Sequence, residues 1–77
     1  MGVIEDLADD LARDTIAAAE ELGDEQLVRL VGEQLGASSS TMQEAYLTSV
    51  RVRQAELRAR KYLEQVRAQA KTATDTT

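Results

Sequence analysis

The sequence predicts an all-α domain of three helices, the last much longer than the others, and three observations carry that reading. Proline is absent from all 77 residues, while Ala, Leu, Glu, Gln and Arg, all strong helix formers, dominate. Large aliphatic residues recur at three- and four-residue steps, with no strand-like alternation. Glycines at positions 23 and 36 stand where those steps stop.

The first helix is predicted over residues 3–22. Ile4, Leu7, Ala8, Leu11, Thr15, Ala18 and Leu22 form one stripe, and Glu5, Asp6, Asp9, Asp10, Asp14, Glu20 and Glu21 occupy its flanks and back. Gly23 is the stop. Asp24 follows as an N-cap for a short second helix over residues 24–35, whose apolar residues are Leu27, Val28, Leu30, Val31 and Leu35. Gly36 is expected to end it as a left-handed residue. The run from Ala37 to Ser40 is the one loop-like stretch, and either Ser40 with Gln43 or Thr41 with Glu44 fits a capping box opening the third helix.

That third helix meets no breaker and is predicted over residues 41–70, roughly 45 Å at the usual rise per residue. Two apolar seams run along it. Ala45, Val52, Ala59 and Val66 recur every seventh residue and are joined by Met42, Leu63 and Ala70; Tyr46, Leu47, Val50 and Leu57 form a second strip on its first half. Arg53, Arg60 and Arg67 also recur at seven and border the first seam, where coiled coils place interhelical charges. Residues 1–70 therefore read as one domain, and the polar residues 71–77 as a disordered tail.

Composition narrows the chemistry. With no Cys and no His, disulfides, thiolate or imidazole metal sites and an imidazole base are excluded. Carboxylate pairs four residues apart, such as Asp6 with Asp10, lack the histidines that bundle metal sites add. Ser38 to Thr41 has no general base beside its hydroxyls, and the glycines build no phosphate-cradling loop. The expectation is a non-enzyme without cofactor or metal. The apolar runs are too short for a membrane span, and the first residues lack the basic and continuously apolar regions of a secretory leader, so a cytoplasmic protein is expected. Seven Arg against two Lys, with twelve Ala and no Phe, suit a GC-rich bacterial or phage genome.

Charge is uneven. Residues 1–40 hold ten acids and two bases, a formal −8, whereas residues 41–77 hold four acids and seven bases, a formal +3. Either the two halves complement helix dipoles, or they meet within or between chains.

The shorter helices can cover only about half of the third, so a homodimer through Val52, Ala59, Leu63, Val66 and Ala70 is expected. The expected function is a small acidic adaptor, inhibitor or regulator that docks on a protein partner, with Asp6, Asp9, Asp10, Glu20 and Glu21 as its docking face.

One segment supports an alternative. Between Val28 and Leu47, Val31, Leu35, Met42 and Ala45 stand at apolar positions, Gly32 at a small one and Gly36 at the turn, and this arrangement resembles the helix-turn-helix motif of DNA-binding regulators. The resemblance covers about a quarter of the chain. It implies a small dimeric transcriptional regulator in which Ser38, Ser39, Ser40, Gln43, Glu44 and Leu47 face the groove, with Arg51 and Arg53 as nearby bases. None of the six groove-facing residues is basic, and a sequence pI near 4.6 opposes a nucleic-acid footprint.

Overall fold

The computed structural model describes the backbone of residues 2–75 and the side chains of residues 2–71. It is all-α, with three helices: α1 over Val3–Leu22, α2 over Leu27–Ser38 and α3 over Ser40–Asp75, each packed on the other two. The overall extents of 60 × 30 × 13 Å follow from α3, whose 36 residues form the long axis.

Gly23 stops α1 as expected. Its φ of 65° is left-handed, and the closing bonds run from its N–H to the Glu20 carbonyl (3.3 Å) and from the Asp24 N–H to the Ala19 carbonyl (2.9 Å). That pair of bonds satisfies two carbonyls the helix end would otherwise leave open, in a conformation that a side chain disfavours.

The second helix is displaced by three residues at both ends from the predicted 24–35. At its start, the Asp24 carboxylate accepts the Gln26 N–H at 2.9 Å, so Asp24 closes a turn ahead of the helix and does not cap it directly. At its end, Gly36 remains helical, because glycine permits the left-handed conformation without imposing it. The actual break is Ser39, with φ −157° and ψ 107°. Its hydroxyl accepts the Met42 N–H at 3.1 Å and its carbonyl accepts the Gln43 N–H at 3.0 Å, so the N-cap of α3 is Ser39, ahead of both predicted caps, Ser40 and Thr41. An N-cap needs extended backbone, and that single residue ends α2.

The third helix also runs further than the predicted 41–70. Residues 71–75, read from sequence as tail, continue the helix; residues 76 and 77 lie outside the described residues. No helix breaker stands between Ala70 and Asp75, and polarity alone does not stop a helix.

The core is built around Tyr46. This ring is fully buried with Ala8, Ala12 and Val50, and Leu11, Val28, Val31, Leu35, Met42, Ala45 and Leu47 pack around them. Its hydroxyl donates to the Val28 carbonyl at 2.7 Å, tying α3 to α2. Buried Gly32 leaves room for the ring, since a Cβ there would sit 3.3 Å from Tyr46 Cε2.

The predicted stripe on α1 is correspondingly rotated. Ala8, Ala12 and Thr15 face inward, whereas Ile4, Leu7 and Leu22 are 41%, 55% and 71% exposed. A helix packed beside a buried tyrosine presents small residues to it, and that moves the large aliphatic side chains onto the shoulder.

Candidate interaction surface

The geometry of α3 divides its two seams between two faces. At 3.6 residues per turn, Val52, Ala59, Leu63, Val66 and Ala70 fall within an arc of about 60°, centred about 150° from the arc of Tyr46 and Val50. The core takes the Tyr46 and Val50 side; the other seam packs on the body through Met42 and Ala45 and is exposed from Val52 onward. A single turn shows the division: Val50 is 5% exposed and Val52 is 62% exposed. Leu63 and Val66 are 47% and 41% exposed, and every residue from Ala55 to Lys71 is exposed.

The five residues expected at an oligomer interface thus share one exposed strip, roughly 27 Å long. Tyr62, 69% exposed, stands beside it. Arg60 and Arg67 border one edge; Glu56, seven residues before Leu63 and on the same line, interrupts the strip and is bonded to Arg60 Nε at 2.7 Å one turn later. From Ala55 to Lys71 the charged residues number five bases and two acids, so the projecting half of α3 is basic.

The acidic half meets the basic half within the chain at one well-formed contact. Asp9 on α1 accepts two hydrogen bonds from Arg53 on α3, from Nε at 2.8 Å and from Nη2 at 2.7 Å. The paired, planar geometry is the strongest form such a contact takes. The Arg53 bonds hold the Asp9 carboxyl below the usual carboxylate range, burial opposing them, and reciprocally raise the guanidinium. Sequence reading placed Asp9 on a docking face and Arg53 on a DNA face; in the structure each is committed to the other. Nothing local signals that pairing, because the partners are 44 residues apart.

The other acids of the expected docking face, Asp6, Asp10, Glu20 and Glu21, are exposed. Asp10 lies 3.5 Å from Arg13, which also bonds Asp14. Glu20 shares a shallow groove with Leu57, Arg58 and Lys61, where the end of α1 meets the basic part of α3. No cluster of three or more possible metal-ligating side chains occurs among the described residues. No helix among them is long and apolar enough to cross a membrane.

The segment resembling a helix-turn-helix departs from that motif at its turn. Val31, Leu35, Met42 and Ala45 do pack inward and Gly32 does lie against the core, but Gly36 is inside α2, and Ser39 alone joins the helices where the motif has three or four residues. Several expected groove residues are engaged locally. Ser38 Oγ contacts the Leu35 carbonyl at 3.4 Å, Ser39 caps α3, and Gln43 Nε2 donates to the Gly32 carbonyl at 3.0 Å. Leu47 belongs to the core surround, while Ser40, Glu44 and Arg51 are exposed. No protein-family model, curated protein or solved structure matches the chain.

Proposed function

We propose that the protein is a small helical interaction module that acts by docking on another protein, the outward strip of α3 receiving an α-helix that carries an apolar strip of its own. The observation that carries this reading is the exposure of Val52 beside the buried core, continuous with Ala59, Leu63, Val66 and Ala70 along a projecting helix. Helix-on-helix docking reads apolar anchors at such steps, and flanking charges set orientation and partner choice. The exposed acids Asp6, Asp10, Glu20 and Glu21 act at a distance from this contact, steering encounter with basic surfaces. Asp9, held by Arg53, is not one of them.

The test uses a tagged chain and its Leu63→Asp variant in parallel captures, beside a titration with duplex DNA. Leu63 is exposed, so the substitution should change folding free energy by no more than about 0.5 kcal/mol, while a charge in the strip should release the captured protein. Equal capture by both chains would overturn the reading. A duplex affinity that falls steeply with salt, with no Leu63-dependent capture, would replace it with the regulator reading.

A further inference from the structure

We infer that the helix received by the α3 strip is α3 of a second copy of this chain, running antiparallel, with the two-fold axis at the level of Lys61. This inference rests on the docking reading above and names its partner. Three features of the strip support it.

The first is steric. About Lys61 the strip is complementary to itself reversed: Val52 falls opposite the partner's Ala70, and Leu63 opposite the partner's Ala59. Val52 and Leu63 thus each meet an alanine, the large-on-small fit that close packing favours, while Val66 falls opposite the partner's Glu56. A parallel pair would set Ala59 on the partner's Ala59 and leave a gap there.

The second is electrostatic. In the antiparallel register Glu56 falls opposite the partner's Val66 and beside the partner's Arg67, so the one acid within the seam gains a cation. In a parallel pair Glu56 would face the partner's Glu56. Like charges set against each other across an interface disfavour that arrangement.

The third is the placement of the bodies. Each carries the formal −8 of residues 1–40, and α1 and α2 leave the strip from Val52 onward uncovered. Antiparallel pairing sends the two bodies to opposite ends, with the Tyr46 positions about 45 Å apart along the axis. That exceeds the screening length of about 8 Å at physiological salt. Parallel pairing would set both acidic bodies side by side.

Because the chain has no native cysteine, a crosslinking test is clean. Val52→Cys and Ala70→Cys chains, made separately, are oxidised alone and as an equal mixture, and the unmodified protein is run in sedimentation equilibrium at concentrations on the order of tens of micromolar. The expected result is a dimer in sedimentation, crosslinked heterodimer in the mixture at several-fold the yield of either chain alone, and a monomer on Leu63→Asp. Efficient self-crosslinking of Val52→Cys would establish parallel pairing and overturn the inference. So would a monomer across the concentration range. If that monomer still captures a different protein in a Leu63-dependent way, the docking reading survives and only the second copy falls; if it captures nothing, both fall.

Discussion

Gly32→Ala sets two effects of known size against each other and tests the core directly. Within a helix, replacing glycine by alanine ordinarily stabilises by about 1 kcal/mol, and Gly32 is helical with ordinary backbone angles. The added Cβ, however, would lie 3.3 Å from Tyr46 Cε2 and 3.7 Å from Leu47 Cδ2. Tyr46 cannot move aside, being fully buried and tied through its hydroxyl to the Val28 carbonyl. Overpacking a confined core site costs about 1–3 kcal/mol, so the net effect should be a loss of about 1 kcal/mol. For a domain of this size that lowers Tm by roughly 4–8 °C.

Gly36→Ala is the control. Its Cβ would meet the far end of the Gln43 side chain at 2.5 Å, and that side chain can swing outward. The helix gain of about 1 kcal/mol is then offset by loss of the Gln43 bond to the Gly32 carbonyl, worth about the same, leaving a net near zero. Urea unfolding of both variants at one fixed protein concentration measures the difference. Gly32→Ala that is more stable than Gly36→Ala would refute the packing of Tyr46 against α2.

Two further predictions concern pH. Burial raises the Tyr46 hydroxyl above its ordinary 10.0, with Thr15 opposing, so this group contributes stability that is present below about pH 10 and lost as pH rises through the folded value. Tyr46→Phe should cost about 1 kcal/mol at neutral pH through the lost bond to Val28 and should flatten the alkaline fall in a melting series; an unchanged fall would place its cause elsewhere. The Asp9 carboxyl is lowered, so the Asp9–Arg53 contribution is present above about pH 4 and lost as pH drops through the folded value. Asp9→Asn should be less stable than the parent at neutral pH and low salt and converge on it in acid, and a constant difference down to about pH 2 would show that the ion pair is not the source.

The number of helices, the stop at Gly23 and the apolar seams of α3 were legible because each depends on local spacing. The second break was misplaced because two candidates compete within four residues. Gly36 can turn but need not, whereas Ser39 does so because its hydroxyl is required by the Met42 amide. The α1 stripe was legible as amphipathic but not in its rotation, which is set by a tyrosine more than thirty residues away. The expected strip residues do share one exposed face, since seven-residue spacing fixes a face whatever surrounds it. The Asp9–Arg53 pair was not legible, because only the packing of α1 on α3 brings it together. Both residues looked free for partners.

The exposure of Val52 has a different origin from that of Leu63 and Val66, and the difference bears on what the strip is for. Helix lengths alone account for the second half of α3, since α1 and α2 are too short to cover it. They do not account for Val52, which stands one residue beyond Arg51 and two beyond buried Val50, level with the packed body. On its side of α3 the body covers Met42 and Ala45 and stops short of Val52. The strip therefore begins where α3 is clamped, by Tyr46 to α2 and by Arg53 to α1, and runs outward from there. A helix docking along it meets its first contact on a backbone already held in place, so less ordering remains to oppose binding. Two turns after covered Ala45, and still within the span where Arg53 ties α3 to α1, the strip is already open, and that placement supports the docking proposed for it.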